Sequence, residues 1–407
     1  MIKNPLKYTC LFGGGAIRGI AHVGALRAME KVGIVSDTYA GSSVGSIVAA
    51  LVCVGYDADE IEDIFLKVNF NLFMDIQFGI KQQFAISKGE VFLEWMRELI
   101  EKKYYGDSYV KGENPPVTFK DLNKNAVIIT TDLSNFECQE FSKFVTPDFE
   151  VAKAVRISSS MPGLMCPIEY ENSILVDGDL QKSWPMWKLS PNLCPPDERI
   201  LEFRLEGDFE GTDFNPIEYL NAVYSCMTAM GTSFITEIYG ACDKFDYCTI
   251  NTGDVNIVDF NQSKDKRLHL SQLGYEQAMH YFKEILPQKK IKIFGYYNDI
   301  YTNLLKVKSF ILKDKLLNAK CASAEIFVNL CDVVNFIDRN DYSQIKSFND
   351  TLSASIVYPA LFGKIKLNNK EKVLNCLDGL IKNISEKMDE LKAYLTLIKK
   401  TDIVNIA

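Results

Sequence analysis

Three short segments carry residue types that could perform acyl transfer: Gly41-Ser42-Ser43-Val44-Gly45, Gly13-Gly14-Gly15 upstream, and Asp177-Gly178 downstream. Gly-x-Ser-x-Gly between a strand and a helix is the nucleophile elbow, a turn so sharp that only small residues, here Gly41 and Gly45, fit beside the serine. It lifts the Ser43 hydroxyl to a helix N-terminus, where the dipole favours developing negative charge. The pentapeptide alone is a weak pattern, because a tight strand–helix turn with no chemistry has the same spacing. The glycine run strengthens it. Attack on an ester carbonyl creates an oxyanion, which needs preorganised backbone N–H donors, and glycines let the backbone come close. Gly13, Gly14, Gly15 and Ala16 are the candidate oxyanion donors. Asp177 ends the apolar run Ile174-Leu175-Val176 and precedes a turn-permitting glycine. That position suits a general base for Ser43, although Asp-Gly turns without chemistry are common.

Two rival readings use the same residues. Gly13-x-Gly15, with Asp37 about 20 residues on, is part of a dinucleotide fingerprint, but its third glycine is missing from its place. The order Ser43, Asp177, His269 formally satisfies an α/β-hydrolase triad. The elbow of that fold follows several strands, however, whereas Ser43 follows about two. Its histidine lies on a loop, whereas His269 and His280 fall in a helical stretch. His22, the remaining histidine, reads as a packed or capping residue in the helix after the glycine loop. A Ser–Asp pair without histidine fits the chain better.

The elements needed to position these groups are legible as an alternation. Tyr8–Phe12 predicts a strand running into the glycine turn, and Ile20–Val32 a helix stopped by Gly33. A strand near Thr38–Ala40 leads into the elbow, and a helix over Val44–Val54 ends at Gly55. Asp57-x-x-Glu60 and Ser87-x-x-Glu90 are capping-box patterns. Ala126–Thr131, Ile174–Val176, Arg199–Leu205 and Tyr247–Ile250 predict strands. Alternating strands and helices imply an α/β domain with a mostly parallel sheet covered on both faces. From about Asn298 strand signals fade, and Tyr301–Lys315, Ala322–Ile337 and Lys370–Lys400 show helical periodicity. The predicted division is therefore 1–290 for the α/β domain and 291–407 for an all-helical region.

Composition narrows the partners. The chain has 407 residues, net charge -8 and 47% hydrophobic residues, which reads as soluble and globular. It has no dense Lys/Arg stripe, so nucleic acid is not an expected partner. Eleven scattered cysteines without a Cys-x-x-Cys pair suggest reduced, buried thiols in a cytosolic protein, with neither a disulfide frame nor a metal site. No apolar run is of secretory or membrane-spanning type. The expected location is cytoplasmic and peripheral at membranes, with non-classical export of a bacterial effector left open.

Taken in order, these residues resemble the patatin-like phospholipase family over roughly residues 6–290. The resemblance runs through the glycine loop ending Arg18-Gly19 and continuing to Leu26, the elbow Ala40–Ser46, and Thr130-Thr131-Asp132-Leu133. It closes with Arg156-Ile157-Ser158-Ser159-Ser160-Met161-Pro162-Gly163 and Val176-Asp177-Gly178. It implies a three-layer α/β/α fold and a Ser43–Asp177 dyad acting through an acyl-enzyme on phospholipid or lysophospholipid esters, without metal or other cofactor. Gly14 and Gly15 are then the surest oxyanion residues. Arg18 would orient the loop or meet phosphate, with a surface salt bridge as its alternative role.

Three positions depart from the family pattern. Ala16 stands where a third glycine is usual, Asp179 replaces a small residue after Asp-Gly, and Ser183 replaces an asparagine before Pro185. A second carboxylate at Asp179 either raises the dyad's pKa or points into solvent. A partner-binding protein on a silent scaffold, and an acyltransferase or thioesterase on the same dyad, remain alternative functions.

Lipid must also reach the site. Phe70, Leu72, Phe73, Met74, Ile76, Phe78, Ile80 and Phe84 form an aromatic-rich, sparsely charged stretch that suits a lid or membrane contact, or plain core. Trp184-Pro185-Met186-Trp187 is a second candidate rim. The helical region would regulate access, bind an activator or other protein partner, or mediate oligomerisation.

Overall fold

The computed structural model describes residues 6–73, 75, 85–181, 199–207, 216–240, 242–255, 261–358 and 364–403. The chain divides into two compact units: a larger one of Lys7–Gly240 and Phe245–Tyr281, and a smaller one of Met1–Leu6, Ala241–Lys244 and Phe282–Ala407.

The larger unit is a three-layer α/β/α fold. Its elements in order are β1 (Lys7–Phe12), α1 (Ile20–Lys31), β2 (Val35–Ser42), α2 (Val44–Val54), α3 (Ala58–Lys67), β3 (Ala85–Ser87), α4 (Glu90–Tyr105), β4 (Asn125–Asp132), β5 (Glu137–Ser142), α5 (Val151–Ser158), β6 (Gly163–Met165), β7 (Ile168–Tyr170), β8 (Ser173–Asp177), β9 (Arg199–Glu206), α6 (Pro216–Tyr239), β10 (Phe245–Asn251) and α7 (Lys264–His280). The central sheet runs β10-β9-β1-β2-β4-β8-β7, with β5 also on β4. Strands β10, β9, β1, β2 and β4 are mutually parallel, whereas β5 and β8 lie antiparallel to β4 and β7 antiparallel to β8.

Local signals account for many boundaries. Gly33 and Gly55, at φ 77° and 115°, adopt the left-handed conformation that ends α1 and α2. Asp57 caps α3: its carboxylate accepts the Glu60 N–H at 2.8 Å while Glu60 accepts the Asp57 N–H at 3.0 Å. The second expected capping box does not form. Gly89 precedes α4 with φ 73°, and the amides of Gly89 and Glu90 donate to the Asp75 carboxylate at 2.9 and 3.0 Å. Ser87 also donates to Asp75. An acid from a preceding loop therefore does the capping that the local pattern assigned to Ser87.

The smaller unit contains α8 (Leu286–Leu312), α9 (Leu316–Val333), α10 (Arg339–Ser355) and α11 (Lys370–Ile403), with a short pair β11 (Ile356–Val357) and β12 (Lys366–Leu367). Helix α8 runs through positions 290–291. Ile293, Tyr297, Ile300, Leu304, Val307 and Ile311 on α8 share one core with Val373, Leu377, Leu380, Ile384 and Leu391 on α11. Steps of three and four residues on both helices give the 3.5-residue seam of packed helical bundles.

Candidate active site

Ser43 sits at the junction of β2 and α2 with φ 51° and ψ -128°, a left-handed-side conformation that costs a non-glycine residue of order 1–3 kcal/mol. Neighbouring glycines make room for the turn. A Cβ on Gly41 would lie 2.2 Å from the Gly45 carbonyl oxygen, and one on Gly45 would lie 2.0 Å from that of Phe12. The turn is held by side chains as well. The Ser43 N–H donates to Ser158 Oγ at 3.0 Å, and Ser158 Oγ donates onward to the Ile129 carbonyl at 2.5 Å. The Ser43 carbonyl accepts from Ser46 N at 2.9 Å and Ser46 Oγ at 2.5 Å.

Sheet topology brings Asp177 to the same place. Strand β5 occupies one edge of β4 from Val127 to Asp132. On the other edge, β2 pairs up to Ser42↔Ile129 and then leaves for the elbow, while β8 takes over at Asp177↔Thr130. Ser42 and Asp177 therefore pair with consecutive residues of one strand. Gly178 completes the join: a Cβ there would lie 2.1 Å from the Ile129 carbonyl oxygen and 3.2 Å from Ser42 Cβ. Asp177 is 1% exposed. Its N–H donates to the Ser160 carbonyl at 3.0 Å, and its Oδ1 accepts the Asp179 N–H at 2.8 Å.

The glycine loop lies between β1 and α1. Gly13 N donates to the Phe203 carbonyl at 3.0 Å, and the Gly13 carbonyl lies 2.7 Å from His22 Nε2. Gly14 N donates to Asp179 Oδ1 at 2.9 Å. Ala16, with φ 47°, turns the chain into a short 3-10 segment. Among the described residues, the Gly15 and Ala16 amides have no protein acceptor. Two of the four candidate donors are thus engaged within the protein, and two are open.

Asp179 is 2% exposed, which rules out the solvent-pointing alternative. Its Oδ1 accepts from Ser42 Oγ at 2.9 Å as well as from Gly14 N. Arg18 donates from Nε to the Val255 carbonyl at 2.7 Å, and its guanidinium packs at Gly207. It lines a polar cavity with Arg204, Glu206, Thr228 and Thr232, separate from the one at Ser43. His269 and His280 are exposed on α7. His22 is fully buried beside Phe12, with ring centroids 5.3 Å apart.

Ser43 opens onto an apolar cleft lined by Ile17, Val44, Ile47, Phe70, Phe73, Phe92, Met161, Leu164 and Met165, together with Ala16, Ser87 and Ser159. Phe70 and Phe73 come from the aromatic-rich stretch, and Phe73 packs on Phe92 and Trp95. Met74, Ile76, Phe78, Ile80, Phe84, Ser183 and Trp184–Trp187 lie outside the described residues. Among the described residues no group of acids, histidines and cysteines could hold a metal ion. Among the described residues four cysteines are buried, and burial pushes the Cys53 and Cys248 thiols up to about 12; Cys226, Cys321, Cys331 and Cys376 are exposed, unlike the buried thiols expected.

Sequence reasoning assigned no individual role to Ser158, Ser160 or Arg156. The structure places Ser158 under the elbow and Ser160 against β8. Arg156, 2% exposed, donates to Ser160 Oγ and to the carbonyls of Gly89 and Cys166. The signal available beforehand was the density of small hydroxyls in Ser158-Ser159-Ser160, two positions after an arginine.

A serine elbow between a parallel strand and a helix, on an α/β sheet, is the architecture of a class of serine hydrolases. Residues 11–185 match the sequence model of the patatin-like phospholipase family. The chain is 27% identical over 290 residues to uncharacterized protein R571 of Acanthamoeba polyphaga mimivirus, covering 68% of this chain and 93% of that one. It is 30% identical over 190 residues to probable lipid hydrolase 463L of Invertebrate iridescent virus 6, covering 46% of this chain and 64% of that one. Lysophospholipase NTE1 of Debaryomyces hansenii is 26% identical over 190 residues, which span 44% of this chain and 11% of that protein.

Proposed function

We propose that the protein hydrolyses fatty-acyl esters of phospholipids or lysophospholipids at Ser43. The observation that carries this reading is the strained Ser43 elbow opening onto an almost wholly apolar cleft, where an acyl chain loses water contact as its ester reaches the hydroxyl. Asp177, paired on β4 next to the partner of Ser42, takes the Ser43 proton as general base. Ser43 Oγ bonds to the ester carbonyl carbon, and the oxyanion receives hydrogen bonds from the Gly15 and Ala16 amides. The alcohol product leaves with the proton from Asp177. Water, deprotonated in turn by Asp177, then releases the fatty acid and restores Ser43. Lipid enters from a membrane on which the protein sits peripherally; among the described residues no helix is long and apolar enough to cross one. The C-terminal helical region has a regulatory or partner-binding role in this reading.

The test incubates full-length wild type, Ser43→Ala and Asp177→Asn with mixed phospholipid and lysophospholipid vesicles, with and without cell extract as a source of activator. Free fatty acid is measured. We expect wild type to release it and each variant to fall by at least about 10³-fold. Equal release by wild type and Ser43→Ala would sink the nucleophile assignment. No release under any condition supports a silent scaffold, and acyl transfer to an added alcohol without free acid supports an acyltransferase.

A further inference from the structure

The Gly13–Gly14 peptide is gripped at both ends. Its carbonyl oxygen lies 2.7 Å from His22 Nε2; a carbonyl can only accept, so Nε2 carries the proton. Its N–H donates to Asp179 Oδ1 at 2.9 Å. The same Oδ1 accepts from Ser42 Oγ, the side chain next to Ser43, and the Asp179 N–H donates to Asp177 Oδ1. All four side chains are nearly or wholly buried. The carboxylate also fills the space beside Gly14, where an added Cβ would lie 2.5 Å from Asp179 Cγ.

We infer that Asp179 is a positioning residue for acyl transfer: with His22 it clamps the Gly13–Gly14 peptide and so fixes where the Gly15 and Ala16 amides point. The inference rests on the acyl-hydrolase reading above. One carboxylate oxygen reaches the oxyanion loop and the elbow, while the Asp179 backbone reaches the base. Three segments distant in sequence are thereby tied through one residue. Fixing a peptide plane matters because a donor contributes to catalysis only if it already faces the oxyanion when charge develops. Neither Asp179 nor His22 lines the apolar cleft at Ser43, so the clamp bears on the chemical step and not on binding of the acyl chain.

The experiment compares full-length wild type, Asp179→Ala, Asp179→Asn and Ser43→Ala, using a soluble aryl ester for kcat and KM and a fluorophosphonate for the rate of Ser43 labelling. Alanine removes the acceptor; asparagine keeps a carbonyl oxygen at the same reach. We expect Asp179→Ala to lower kcat and the labelling rate by about 10²-fold, with KM changed less than about threefold, and Asp179→Asn to recover about tenfold of that loss. If Asp179→Ala does not fold, Asp179→Ser, too short to reach the Gly14 amide, takes its place. An active wild type matched by Asp179→Ala, a loss confined to KM, or an asparagine variant as impaired as alanine overturns the clamp alone. A wild type indistinguishable from Ser43→Ala in both assays overturns the hydrolase reading and the clamp with it.

Discussion

At the scale of single residues, small hydroxyls and backbone groups do much of the holding. Ser158 joins the Ser43 amide to the Ile129 carbonyl through one oxygen. Ser158→Ala leaves the part-buried Ser43 amide and the buried Ile129 carbonyl without that partner, a cost of about 1–3 kcal/mol. Urea denaturation should show that loss, together with a drop in kcat because the elbow amide loses its anchor. The elbow and the glycine loop were legible because residue type and spacing mark them: Gly41 and Gly45 leave room for backbone atoms in the turn and at the end of β1. The hydrogen bonds of Ser158 and Asp179 were not, since they join residues 115 and 165 positions apart. A sequence shows a carboxylate at 179 but not what lies against it. The surroundings of Arg18 were equally non-local: expected to orient the loop or meet phosphate, its side chain turns to Val255 and Gly207.

At the scale of elements, close packing places the loop and the elbow. Helices α1 and α7 cross at a reciprocal pair of glycines: a Cβ on Gly24 would lie 1.9 Å from the Ser271 carbonyl oxygen, and one on Gly274 would lie 2.0 Å from that of Ala21. Backbone atoms cannot step aside as a flexible side chain does. Gly274→Ala should cost about 1–3 kcal/mol by forcing the helices apart, measurable as a lower urea midpoint. Because α1 carries His22, kcat should fall with it, although α7 contributes no residue to the cleft. The strands of the parallel core were readable as apolar runs, and α3 from its capping box. Other features escaped, α10 and the setting of β8 among them. Helix α10 buries only Ile345, Phe348 and Leu352 along 17 residues rich in Ser, Asn and Asp, too thin a stripe to stand out. The antiparallel setting of β8 depends on its pairing with β4, which periodicity cannot report.

At the scale of the whole molecule, the compact units do not follow chain order: Ala241–Lys244 groups with the C-terminal helices although α6 and β10 around it do not. Asp243 explains the attachment. It is fully buried, 3.2 Å from the fully buried Lys290 Nζ and 2.9 Å from Lys387 Nζ. Asp243→Ala removes the carboxylate between two lysines and should destabilise the smaller unit by about 3–5 kcal/mol, seen by differential scanning calorimetry of the full chain. Asp243→Ala combined with Lys290→Met, which takes the buried ammonium away as well, should cost less. A four-residue segment with one acid in it offers no periodic signal, so this partition had no counterpart in a reading based on a single cut.

The succession of β2 and β8 along one edge of β4 has a consequence for how such a chain can change. Ser42, the neighbour of Ser43, and Asp177 share an address, the Ile129–Thr130 step, and that address is independent of the path taken between them. Length can be added or lost in the intervening turns, such as the one bearing the 82% exposed Phe136, while the two groups stay in register. The proposed dyad is therefore insulated from changes in the length of the turns that separate its two members.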